Sequence, residues 1–157
     1  MNGPDMPSWL QVMFIAALPV VELRGALPIA LTVHGMPLPA AIALSVAGNM
    51  LPVPFILRFL PPFVAWTERH VKPFHRLMER YFRSLRLKHE EKYQRAGALA
   101  LFAVGALPFP GAGAWTASVL AVLFSIRPTY AVPAILAGIL WEAFVVWAIT
   151  TGAIALF

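Results

Sequence analysis

Four long apolar runs dominate the chain, at Trp9–Val33, Leu38–Leu60, Ala98–Ser125 and Tyr130–Phe157. Stretches of 18 or more apolar residues with few charges mark membrane segments, so each run is a candidate. The four are not alike. Pro19, Glu22, Arg24, Gly25 and Pro28 interrupt the first, and Pro108, Pro110, Gly111 and Gly113 interrupt the third. In both, two short apolar arms flank a cluster of helix breakers. An arm of about 8–12 residues reaches about 12–18 Å, roughly half the hydrocarbon core. This pattern predicts a re-entrant helical hairpin that dips into the bilayer and returns to its own side. Irregular backbone at that depth requires surrounding protein or a water-filled cavity.

The interruptions recur in register. Ala17-Leu18-Pro19 returns as Ala106-Leu107-Pro108, Met36-Pro37 as Arg127-Pro128, and Ala47-Gly48 as Ala137-Gly138, at offsets of 89, 91 and 90 residues. Their order and near-constant spacing predict a duplicated unit of one hairpin plus one transmembrane helix. Repeat one covers residues 9–60, a polar linker 61–97, and repeat two 98–157, all in a single membrane domain. If each hairpin returns to the side it enters from, the halves are inverted and their tips meet near the midplane, the plan of many secondary transporters. The expected fold is all-α.

Composition fixes the solvent: 60% of the 157 residues are hydrophobic, 12% are charged, and mean hydropathy is +0.75. A soluble domain of this size is about half apolar and a quarter charged. The net charge of +5 would suit nucleic acid, but nine of the twelve Lys and Arg residues lie between Pro61 and Arg95. A basic block beside membrane spans marks a cytoplasmic loop with affinity for anionic lipid head groups. Within it Phe74, Leu77, Met78, Tyr81, Phe82 and Leu85 share one helical face opposite Arg76, Arg80, Arg83 and Arg86, which predicts an amphipathic helix lying in the interface or packed on protein. Inverted hairpins also put Arg127 on the cytoplasmic side, as the positive-inside tendency prefers. Residues 1–8 carry Asp5 and no Lys or Arg, unlike the basic opening of a signal peptide. No cysteine is present, which excludes disulfides, thiolate metal sites and cysteine nucleophiles.

The segments Glu22-Leu-Arg-Gly-Ala-Leu-Pro28 and Leu107-Pro-Phe-Pro-Gly-Ala-Gly-Ala-Trp-Thr116 resemble the two hallmark segments of the small multidrug export family. The resemblance runs from about Trp9 to the C-terminus. More distantly the chain is similar to the DedA and VTT superfamily of re-entrant-loop membrane proteins. That likeness implies movement of lipids, including polyprenyl phosphate carriers, and proton-dependent drug resistance, in a prokaryotic plasma membrane. DedA-type proteins usually place an Arg close to the second hairpin motif, whereas residues 107–118 carry none and Arg127 is the nearest.

Ionisable groups inside membrane segments cost about 2.5–3.5 kcal/mol on insertion scales and mark function by default. Glu22 and Arg24 at the first break are the strongest candidates: Glu22 as a proton or cation site, Arg24 as an anion anchor, or both as an ion pair locking the tip. Glu142, between Trp141 and Trp147, is a second candidate proton carrier, with pairing to Arg24 as the alternative. At the second break Pro108, Pro110, Gly111, Gly113, Trp115 and Thr116 are candidate substrate contacts, because backbone N–H groups at a half-helix start attract anions. Ser118 adds a hydroxyl, Asn49 is expected to hydrogen-bond between helices, and His34 carries little weight. Enzyme signatures, cofactor motifs and metal-ligand spacings are lacking.

The expected function is a proton-coupled transporter moving an amphipathic lipid phosphate, such as a polyprenyl phosphate carrier. The alternatives are a proton-coupled exporter of cationic drugs and a non-transporting membrane scaffold. Membrane lipids, protons and a second copy in a homodimer are the expected partners, without nucleic acid.

Overall fold

A computed structural model of the chain describes residues 6–70, 91–109 and 111–155. Seven helices hold most of them: α1 (Ser8–Ala17), α2 (Glu22–Thr32), α3 (Leu38–Met50), α4 (Pro52–His70), α5 (Glu91–Ala106), α6 (Ala114–Leu123) and α7 (Pro128–Ala155). No β-strand occurs among the described residues. The amphipathic helix expected over Phe74–Leu85 and the site candidate Pro110 lie outside them.

Proline placement explains where helices stop. Leu18, held extended at φ −74° and ψ 136° before Pro19, closes α1, as the residue before a proline prefers. Leu107 and Pro108 likewise follow the last residue of α5. Pro52 and Pro128 instead sit at the first positions of α4 and α7, where no backbone donor is needed.

Length then divides the apolar runs into two kinds. Leu38–Thr67, α3 and α4 joined through Leu51, and Pro128–Gly152 within α7 are long and apolar enough to cross a membrane, with mean hydropathies of 1.8 and 2.0. At 1.5 Å per residue both exceed the hydrocarbon thickness of about 30 Å. The other two runs are split, as their breakers predict. α1, α2 and α6 have 10, 11 and 10 residues, about 15–17 Å each. Even α5, with 16 residues that begin in the polar connection, reaches only about 24 Å.

Helix ends and contacts repeat with the spacing of the sequence motifs. α1 and α5 end at Ala17 and Ala106, α2 and α6 at Thr32 and Leu123, and α3 and α7 begin at Leu38 and Pro128. α1 packs on α3 as α5 packs on α7. A Cβ on Gly48 would lie 2.8 Å from the Ala16 side chain and against the Met13 carbonyl, and one on Gly138 2.7 Å from the Phe102 carbonyl. Glycine thus lets backbones touch at equivalent places in both halves.

The core is built from small side chains, with Ala16, Ala26, Ala30, Ala41, Ala114, Ala117, Ala121 and Ala131 buried beside Leu23, Leu27, Ile135 and Ile139. Large apolar residues point outward instead, among them Phe14, Phe55, Phe59, Phe63, Trp141 and Phe144. This inversion of size is what helices packed in lipid require. Against this background Glu22, Ser45, Asn49, Gln94, Ser118 and Glu142 are buried polar exceptions.

Candidate functional site

The two backbone breaks meet. After Pro19 the chain turns into α2 through Glu22, which adopts a left-handed φ of 51°. For a residue with a Cβ this costs roughly 1–2 kcal/mol, and it turns the carboxylate toward the second break. There Gly111 and Gly113 take φ of 89° and 119°, conformations that glycine alone adopts freely. The Gly113 N–H donates back to the Val104 carbonyl at 3.1 Å, folding the turn over the end of α5. A Cβ on Gly113 would collide with the Glu22 carboxylate, so the second tip is shaped around a side chain of the first.

Arg24 ties the elements together. Its Nη2 pairs with Glu22 Oε2 and donates to the Ala112 carbonyl at 3.1 Å. Its Nε lies 4.0 Å from Glu142 Oε1 on α7. The backbone N–H of Trp115 donates to the Glu22 carboxylate, which occupies the positive end of α6. The Trp115 indole N–H donates to the Ala17 carbonyl at 3.1 Å, latching α6 to the end of α1. Glu22 and Glu142 are all but sealed from solvent at 1% and 0% exposure. Two carboxylates therefore face one guanidinium, and neither oxygen of Glu142 has a hydrogen-bond partner. Fully ionised, the cluster has a formal excess of one negative charge.

Of the sequence candidates, Glu22, Arg24, Gly113, Trp115 and Glu142 come together. Pro108 and Gly111 are exposed on the outer part of the turn. Thr116 donates to the Gly111 carbonyl at 2.7 Å and Ser118 to the Ala114 carbonyl at 2.6 Å, so both hydroxyls serve their own segment. Arg127 lies past the C-terminal end of α6, and His34 past that of α2, each a helix length from the cluster. Some of the donors expected to receive an anion from outside are engaged internally, Trp115 N–H by Glu22 and the Arg24 Nη2 by Glu22 and Ala112 O, whereas Arg24 Nε and Nη1 are buried without a hydrogen bond.

Two contributors lay outside the sequence reading. The Ala112 carbonyl has no sequence signature, since any residue supplies one. Ser45 could have been found from its place one helical turn before Asn49. Both are completely buried on α3, and Ser45 Oγ, Asn49 Oδ1 and Asn49 Nδ2 make no hydrogen bond. Asn49 is therefore not the interhelical hydrogen-bond group expected of it.

Beside the cluster an open apolar groove of about 500 Å³ runs between α4 and α6. Phe55, Phe59, Phe63, Val119 and the side chain of Trp115 line it, so one residue borders both the charged cluster and the groove.

A family model described as "Putative small multi-drug export protein" matches residues 22–145, from Glu22 through both tips to just beyond Glu142. No curated protein and no solved structure matches the chain.

Proposed function

The chain belongs to the small multi-drug export protein family, and from that premise we propose that it is a proton-coupled transporter of amphipathic cations. The observation that carries this reading is the pair of buried carboxylates sharing one guanidinium. Glu22 neutralises Arg24, which leaves Glu142 to hold either a proton or a positively charged substrate. Competition between the two for one carboxylate couples their movements in opposite directions. The groove beside Trp115 gives the apolar part of such a substrate a place next to the charge.

A lipid phosphate is the less favoured cargo. Arg24 Nε and Nη1 make no hydrogen bond, but they lie buried beside the Glu22 and Glu142 carboxylates, whose negative charge opposes an anion. The alternating-access frame we propose is the inverted pair of repeats, with α1–α2 and α5–α6 as hairpins inserted from opposite sides and the linker cytoplasmic. The matching helix ends and the matching contacts of Gly48 and Gly138 support it.

The test is transport in proteoliposomes with an imposed pH gradient, using ethidium as the cation and a fluorescent polyprenyl phosphate as the anion. The expected result is ethidium movement that Glu142→Gln abolishes. Movement of the polyprenyl phosphate alone, lost in Arg24→Gln, would overturn the cation reading.

A further inference from the structure

Buried polar atoms without hydrogen bonds are rare and call for an explanation. Among the described residues there are seven such atoms: Arg24 Nε and Nη1, and five more on three side chains, Ser45 Oγ, Asn49 Oδ1 and Nδ2, and both carboxylate oxygens of Glu142. All three residues have no exposed surface. Their helices, α3 and α7, pack on each other and both pack on α2, which carries Glu22 and Arg24.

Helical geometry places Ser45 and Asn49 on one side of α3. Gly48 faces α1, against Met13 and Ala16. Ser45 and Asn49 lie about 60° and 100° round the helix from Gly48, in the same direction. Besides α1, the helices packed on α3 are α2, α7 and α4. The titratable and charged groups of these packed elements are Glu22 and Arg24 from α2, Tyr130 and Glu142 from α7, and Arg58, Glu68, Arg69 and His70 from α4, and α1 and α3 carry none.

The chemistry of this set is selective. Ser45 Oγ, Asn49 Oδ1 and the Glu142 carboxylate are three oxygen acceptors, and a primary ammonium group presents three N–H donors. A quaternary ammonium has no donor and is held instead by aromatic faces. No Phe, Tyr or Trp is among the buried residues described. Glu22 compensates Arg24 locally, so the attraction of Glu142 remains for the incoming cation.

We propose that Ser45 and Asn49 join Glu142 as a recognition site for the ammonium head of a protonated amine, making N–H-bearing cations the preferred substrates over their quaternary analogues. The inference rests on the transport reading for its role in the cell, but binding tests it independently.

The experiment compares 1-naphthylmethylammonium with its N,N,N-trimethyl analogue as stabilisers of the detergent-purified full chain against thermal unfolding. The primary amine is expected to act at a concentration at least about tenfold lower, the worth of one charge-assisted hydrogen bond. Ser45→Ala and Asn49→Leu should each reduce that preference, leaving the trimethyl analogue unchanged. Asn49→Leu should also hold or raise the unliganded Tm, because it removes an unsatisfied buried amide. A merely structural Asn49 would lower it instead. Equal potency of the two cations on the wild type, or an undiminished preference in both variants, overturns the site. A selective site in protein that moves neither ethidium nor polyprenyl phosphate would sink the transport reading and leave this one standing.

Discussion

The two broken helices do different work with similar backbones. The first tip contributes charge: Glu22 and Arg24 project from α2, and Glu22 accepts a left-handed φ to do so. The second tip is uncharged and contributes backbone and space: the Ala112 carbonyl, the Trp115 N–H and the room left by Gly113. Their bases differ too. Gln94 at the start of α5 donates to the Ser125 carbonyl at 3.2 Å and accepts from the Arg127 N–H at 2.8 Å, clamping the chain where α6 leads into α7. Tyr93 adds a bond to the Phe124 carbonyl at 3.0 Å. Two similarly broken segments thus divide the labour, with ions on one side and a fitted receptor on the other.

Breaking the ionic side should have the largest effect. Arg24→Leu leaves Glu22 and Glu142 buried without their shared cation, and removing one partner of a buried pair costs about 3–5 kcal/mol. A large fall in Tm in detergent is the expected result, partly reversed by adding Glu22→Leu. No recovery in the double variant would mean that Arg24 acts through packing alone.

Filling the receptor side comes next. Gly113→Ala combines a strained φ with a collision against the Glu22 carboxylate, about 2–5 kcal/mol together, and should abolish ethidium transport. Gly111→Ala supplies the contrast, because a Cβ there meets nothing within 4 Å. It should cost only about 1–2 kcal/mol of backbone strain and retain transport. Equal damage from both would show that the turn, not the fit to Glu22, is what glycine secures.

Gln94→Leu probes the clamp. It removes the bonds to the Arg127 N–H and the Ser125 carbonyl, at about 1–3 kcal/mol, lowering Tm while preserving the preference between cations. The smallest effect belongs to Thr116→Val, which removes the hydroxyl bond to the Gly111 carbonyl at a cost of about 0.5–1.5 kcal/mol. Activity equal to the wild type would place Thr116 in the turn rather than among the substrate contacts.

Much of this contrast is legible in the sequence. Pro19 and Pro108 announce where helices break, because a missing N–H and a restricted preceding residue act locally. Glu22, Arg24 and Glu142 stand out because charge is expensive in apolar surroundings. The pairing of those residues is not legible. Arg24 reaches a carbonyl 88 positions away, a contact fixed by tertiary packing and by a backbone atom that every residue has. Nor does sequence tell that Glu22 fills the positive end of α6, which reads from its residues alone as a site for an external anion. Asn49 teaches the converse: a polar residue in an apolar helix signals burial, but not whether it finds a partner within the chain.

The claim that the two tips approach each other from opposite faces of the bilayer is open to a direct measurement. The chain lacks cysteine, so single cysteines at Met36 and Arg127 can be labelled in sealed vesicles with a membrane-impermeant maleimide. Opposite insertion predicts that position 36 reacts from outside and position 127 only from the cytoplasmic side. Labelling of both from the same side would mean that the broken segments cross the bilayer, and would contradict the account.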